Sequence, residues 1–207
     1  MKTVSSLTAD RLTVIRGGRL VFRDISWTAE SGSVLAVHGR NGAGKSTLLR
    51  CVAGLLEPAS GRVHFGLPRG DEREASALVH YVGHHDAVKA ALSVRETLQA
   101  WRRVLGGSAQ QVDMALAKWQ LLPIAELPGQ YLSAGQRRRV ALARLSVADR
   151  PVWLLDEPSA ALDQAARAIL LDNGEAHLRA GGIILAASHE PLWPQARVLD
   201  LSLQAAA

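Results

Sequence analysis

The chain has 207 residues, 48% of them hydrophobic and 21% charged, which is enough apolar side chain for one good core and argues against a disordered segment. Its 18 glycines and 8 prolines follow no period, which excludes collagen-like and low-complexity chains, and its length argues against two large domains. With 24 Lys+Arg against 19 Asp+Glu the net charge is only +5, which permits nucleic acid, a membrane surface or an anionic ligand and demands none of them.

The single cysteine, Cys51, has no intrachain disulfide partner and sits in the apolar-periodic stretch 48–56, so it reads as a small buried hydrophobe in a reducing compartment. Residues 1–10 mix Ser, Thr and Asp with one early Lys and lack the apolar stretch of a signal peptide. No run approaches the roughly 18 apolar residues of a membrane span, so work at a membrane would need spans from another chain.

Short apolar runs alternate with helical patterns along the chain, which predicts an α/β fold with a largely parallel sheet. In chain order, runs at 12–15 and 20–25 flank Gly17-Gly18 as a hairpin in a small antiparallel layer, and 34–37 reads as a buried strand entering a glycine-rich turn. A helical pattern follows at 46–53, then strands at 61–66 and 78–83. Ser93 with Glu96 and Ser108 with Gln111 have capping-box spacing and predict helices at 93–105 and 108–120, followed by a Pro-containing connector at 121–130. A third capping box, Ser133 with Gln136, opens a helix to about 147. A strand at 152–155, a long helix from Asp163 to about 181, a buried strand at 183–187 and a last strand at 198–203 complete the pattern.

The run Gly39-Arg40-Asn41-Gly42-Ala43-Gly44-Lys45-Ser46, with Thr47 after it, fits G-x-x-x-x-G-K-[ST] between an apolar strand and a helix. Its glycines let backbone N–H groups turn inward around phosphate at a helix N-terminus, Lys45 adds a positive charge, and the Ser46 hydroxyl can ligate Mg²⁺. The strand at 152–155 ends in Asp156 and Glu157, where a second magnesium contact and a water-activating base belong. Asp156 is the candidate for Mg²⁺, through water, and Glu157 the candidate base. Ser133 and Gly135 at another helix start form a second anion site, and two such sites suggest one phosphate chain held between two chains.

The segment Leu132-Ser133-Ala134-Gly135-Gln136, one helix ahead of Asp156, resembles the signature of ABC-transporter ATPases. The resemblance extends along the chain. Ser159 to Asp163 is similar to the D-loop, and His189, just past the strand at 183–187, is similar to the switch histidine that contacts the γ-phosphate. It implies a single P-loop ATPase domain over 1–207 with a helical subdomain at about 86–135, MgATP as ligand, and a second ATPase chain completing a homodimer.

Two positions depart from the family pattern. Arg16 falls near the place of the aromatic residue that stacks on adenine; its guanidinium stacks there instead or is simply solvated. His84 or His85 stands where the Q-loop glutamine is expected, the choice depending on a single-residue gap. The His pair has no other ligand set at metal-binding spacing, and Arg137-Arg138-Arg139, one turn into the signature helix, reads as a solvated or phosphate-facing run rather than a nucleic-acid contact.

Within the family, the run 132–144, Gly83-His84 followed by Asp86 to Lys89, the non-aromatic Arg16 and the short chain after His189 are most similar to the haem exporter ATPases of bacterial cytochrome c maturation. That resemblance implies a peripheral subunit on the cytoplasmic face of the inner membrane. Its partners would be integral membrane subunits and, indirectly, a haem chaperone, with no nucleic acid. The alternatives are the ATPase of another small exporter, for a drug, lipid or polysaccharide, and a soluble ABC ATPase acting on nucleic acid or ribosomes.

Overall fold

The computed structural model describes residues 4–188 and 190–203. Its elements are β1 (Ser6–Arg16), β2 (Arg19–Glu30), β3 (Val34–His38), α1 (Lys45–Val52), β4 (Ser60–Phe65), α2 (Ala75–Leu78), β5 (Val79–Val82), α3 (Val94–Leu105), α4 (Ala109–Lys118), α5 (Ala134–Ala143), β6 (Val152–Asp156), α6 (Gln164–Arg179), β7 (Ile183–Ala187) and β8 (Arg197–Asp200). They fall into two compact units, one within Met1–Gly83, Pro151–Pro158 and Gly174–Ala207, the other within His84–Arg150 and Ser159–Asn173. Among the described residues no helix is long and apolar enough to cross a membrane.

The first unit holds both sheets. A five-stranded parallel sheet has the order β5-β6-β7-β3-β8, and an antiparallel sheet has the order β2-β1-β4. Strands β6 and β7 are buried along their whole length, and β3 along all but its last residue. Their unbroken apolar sequences are what strands covered on both faces require. Leu48 and Leu49 of α1 fill a core with Leu12, Phe22 and Ile25 from the antiparallel layer and Leu35, Leu154 and Leu185 from the parallel one. Each such side chain contributes roughly 1.5–3 kcal/mol by leaving water. Cys51 is part of that core, and burial pushes its thiol up to about 11, so it packs as an inert hydrophobe.

The hairpin forms as expected, with Gly17 and Gly18 both at positive φ between β1 and β2. The last strand is shorter than its apolar run: β8 stops at Asp200, whose Oδ1 accepts the Ser202 N–H at 2.8 Å and turns the chain into a 3-10 helix over Leu201–Leu203. The short helix α2 has no periodic signal long enough to read from sequence.

The second unit is helical. Ser93, Ser108 and Ser133 each cap a helix through the reciprocal box their spacing predicts. Each cap is worth about 1 kcal/mol. Arg95 donates to Glu126 on the connector at 2.7 Å and to Asp113 on α4 at 2.5 Å, joining three segments of this unit at its surface. Trp119 is fully buried, with its indole N–H donating to the Ser146 hydroxyl at 3.1 Å, and Arg144 lies 4.6 Å over the Trp101 ring. The helix from Ser133 ends earlier than the expected 147, because α5 tightens into a 3-10 turn over Arg144–Ser146.

Near the end of α6, His177 stacks on Trp153 with ring centroids 4.1 Å apart and planes 11° from parallel. Gly182 closes over the imidazole, where a Cβ would lie 2.2 Å from Nε2. Burial lowers the His177 pKa to about 4, against the opposing pull of backbone groups at Ile183 and Pro151. Because the folded value lies below the unfolded one of about 6.5, this group's stabilisation is complete above pH 6.5 and is lost as the pH falls toward 4. The full amount is about 3 kcal/mol. Denaturant midpoints measured from pH 7 to pH 4.5 should therefore fall, and His177→Phe, which keeps the stacked ring, should flatten that slope. An unchanged slope in the variant would place the acid sensitivity elsewhere.

Candidate nucleotide site

Loop 39–44 carries the chain from β3 into α1. Gly39, Gly42 and Gly44 have φ of +147°, +84° and +98°, and the Ala43 N–H donates back to the Arg40 carbonyl at 3.0 Å. Side chains other than glycine are strained at these angles. A Cβ on Gly44 would also lie 2.6 Å from Val21 Cγ1 and 3.1 Å from Phe22 Cδ1, so the end of the loop is pressed against β2. The loop then delivers α1 with its N-terminus open: Gly44 offers no side-chain cap and the first turn has no acidic residue. That contrasts with α3, α4 and α5, whose serines all cap. Uncapped N–H groups at the positive end of a helix favour an anion.

Lys45 is buried, and its Nζ donates to the Gly39 carbonyl at 2.8 Å. Among the described residues no carboxylate lies within ion-pair distance of it. A buried ammonium without a counter-charge is costly, and a phosphate chain in the loop would supply the missing charge. Ser46 is half-buried in the first turn beside it and Thr47 is buried; Arg40, Asn41 and Gly42 are exposed along the loop.

Strand register places the carboxylates. Asp156 pairs with Ala187 on β7, and Val37 pairs with the same residue from the other side. Asp156 therefore stands level with Val37, two strand spacings or roughly 10 Å away, at the carboxyl ends where open parallel sheets bind ligands. Asp156 is buried. Its neighbour Glu157 donates its N–H to the Ala187 carbonyl at 2.8 Å but has φ +46°. A non-glycine residue held there costs about 1–2 kcal/mol, and the turn ends the strand's alternation at Glu157. On α1, Arg50 is held above its usual pKa by its hydrogen bond to the Tyr81 hydroxyl, with the charges of Tyr81 and Asp156 acting in the same direction.

A hydroxyl on Ser46, the Asp156 carboxylate and phosphate oxygens are the hard oxygen donors that Mg²⁺ takes, with water completing its shell. Among the described residues no cluster of three or more His, Cys, Asp or Glu side chains could hold a metal by itself. The donor set fits a cation that arrives with a nucleotide.

Arg16 ends β1, exposed, and pairs across the hairpin with Arg19, a residue the sequence reading passed over. His189 lies outside the described residues. His84 and His85 are exposed in the second unit, their rings edge-on with centroids 5.7 Å apart.

The signature residues also lie in the second unit. Ser133 Oγ accepts the Gln136 N–H at 3.2 Å, and Gln136 Oε1 accepts the Ser133 N–H at 2.8 Å. The cap uses the backbone N–H groups of Ser133 and Gln136. The N–H groups of Ala134 and Gly135 and the Ser133 hydroxyl proton are not consumed by it and suit an anion. A Cβ on Gly135 would lie 2.9 Å from the Ala161 carbonyl, so the signature and the segment 159–163 pack backbone to backbone. Ala161 itself has φ +60°, and Asp163 Oδ1 accepts the Ala166 N–H at 2.7 Å, capping α6.

The arginine run is not a solvated face. Arg138 is buried and donates to Asp86 at 3.1 Å, and Arg137 folds back onto the Leu132 carbonyl. Arg138 thereby links the signature helix to the segment carrying His84 and His85. Its burial and its bond to Asp86, far away in sequence, set this arginine apart from its neighbours.

Residues 22–160 match the ABC transporter family. Over 191 residues the chain is 50% identical to the cytochrome c biogenesis ATP-binding export protein CcmA of Agrobacterium fabrum, covering 90% of each chain. It is also 50% identical to the CcmA protein of Nitrobacter winogradskyi over 94% of this chain and 97% of the relative. A putative ABC transporter ATP-binding protein from Pyrococcus furiosus superimposes with a TM-score of 0.82 at 26% identity, covering 98% of this chain and all of the other. The chain therefore belongs to the ABC transporter family as an ATP-binding, ATP-hydrolysing component, and within that family it groups with the CcmA relatives.

Proposed function

We propose that this chain is the ATPase of a membrane complex for cytochrome c maturation, coupling ATP hydrolysis to haem export or to release of a haem-loaded chaperone. The observation that carries the reading is the half-identical match to CcmA proteins along nearly the whole of both chains. The open helix start and the buried Lys45, which has no carboxylate partner among the described residues, support the nucleotide half of it.

In this reading residues 39–47 hold the phosphates, with Ser46 and Asp156 on Mg²⁺. Mg²⁺ held there would neutralise charge on the phosphates. Glu157 orients a water and accepts its proton as the water oxygen bonds to the γ-phosphorus and the bond to the ADP oxygen breaks. His189 contacts the γ-phosphate, and His84 or His85 takes the place of the Q-loop glutamine. Ser133 and Gly135 act on the nucleotide of a second copy, since two helix starts in different units each offer N–H groups to one phosphate chain. Asp163 belongs to the segment that meets that second copy. Integral membrane subunits anchor the ATPase to the cytoplasmic face of the inner membrane, and a haem chaperone receives the cargo.

Cells whose only copy carries Glu157→Gln should lose c-type cytochromes on haem-stained gels while other haem proteins persist. Normal c-type cytochromes, with the variant shown to be present and inactive, would reject the maturation role and favour another export cargo.

A further inference from the structure

Strand β8 is an edge strand of the parallel sheet and runs beside β3, with Leu35 level with Arg197 and His38 level with Asp200. One residue further, β3 gives way to Gly39, the first residue of the phosphate loop, and β8 gives way to Leu201. There the edge strand leaves the sheet, because Asp200 Oδ1 takes the Ser202 N–H at 2.8 Å and starts the 3-10 turn over Leu201–Leu203.

That turn sits on the loop. A Cβ on Gly39 would lie 3.5 Å from Leu201 Cβ, 3.5 Å from Ser202 Oγ and 2.9 Å from Ala43 Cβ, so the glycine is packed between the turn and a later residue of its own loop. Leu201 is fully buried in the core that also holds Leu35 and Leu48, which anchors the turn. Gly39 needs such neighbours. Its φ of +147° favours glycine, and glycine has more backbone freedom to lose on ordering than any other residue. Its carbonyl is also the acceptor that Lys45 Nζ reaches at 2.8 Å. A turn that steadies Gly39 therefore steadies the phosphate-binding lysine.

We propose that Asp200, acting through the turn 201–203, is a positioning residue for the phosphate loop. It orders Gly39 and Lys45 in the free protein, so that less ordering has to accompany nucleotide binding. The proposal rests on the phosphate-loop reading of residues 39–47. Because Asp200 acts through the turn, its loss shows in nucleotide affinity and leaves the water-activating step to Glu157.

Calorimetric MgATP titration of the full chain, with steady-state hydrolysis and melts without nucleotide, tests this. Asp200→Ala, which removes the acceptor, should raise the MgATP dissociation constant and KM about fivefold, the scale of ordering one backbone residue, with kcat within about twofold of wild type. Asp200→Asn, whose side-chain oxygen accepts the same N–H, should keep wild-type affinity. In a Lys45→Ala background, Asp200→Ala should weaken binding by less than about twofold more, because the carbonyl it steadies has lost its donor. Unchanged affinity in Asp200→Ala, a loss that Asn does not restore, or full additivity with Lys45→Ala would overturn the proposal. A lower melting temperature with intact affinity would make Asp200 a stability residue and overturn it equally. Lys45→Ala alone separates the two readings: if it leaves MgATP binding unchanged, the phosphate-loop assignment itself has failed.

Discussion

Glu157→Gln should lower steady-state ATP hydrolysis by two to four orders of magnitude, the range for loss of a positioned proton acceptor, while leaving MgATP affinity within about threefold of wild type. The amide keeps the shape of the carboxylate and cannot take the proton from water. Glu157 adopts φ +46° directly after a strand whose ladder continues through its N–H. Gln tolerates that backbone no better and no worse than Glu, so the substitution changes the chemistry and not the fold. Phosphate release measured with a coupled assay, beside calorimetric ATP affinity, separates the two effects. Hydrolysis within tenfold of wild type would move the base role to another residue.

Lys45→Ala should weaken ATP binding by roughly tenfold or more, since a charge-assisted hydrogen bond to phosphate is worth about 1.5–3 kcal/mol. The effect has a counterpart in the free protein. Lys45 Nζ reaches back 2.8 Å to the Gly39 carbonyl, with no carboxylate among the described residues to neutralise it, so removing it also removes a buried charge. Apparent stability without nucleotide should hold or rise slightly in the variant, while the stabilisation that ATP confers on wild type disappears. Thermal melts with and without MgATP read both quantities at once. An ATP-induced shift as large as that of wild type would contradict a phosphate role for Lys45.

The parts of this site that are local in sequence are legible in it. A glycine-rich loop between an apolar strand and a helix, two carboxylates at a strand end and serines at capping-box spacing each announce their geometry within a few residues. What was not legible is set by long-range pairing. Nothing in the run 152–157 says that Asp156 stands level with Val37; that follows from β7 lying between β6 and β3. Arg138 looks like its neighbours until Asp86 is found beside it. The contact of Gly135 with the Ala161 carbonyl likewise joins two segments that sequence spacing leaves apart.

The signature serine and the phosphate loop lie in different compact units, each at the start of its own helix. That arrangement underlies the proposal that one ATP is shared by two copies, and light scattering on Glu157→Gln tests it most directly. With MgATP the variant should scatter at twice the 22.2 kDa of one chain, and Ser133→Arg added to it should return the mass to that of one chain. A Glu157→Gln chain that binds MgATP yet stays at 22.2 kDa alone, and joins its membrane subunits as a single copy, would contradict the shared site.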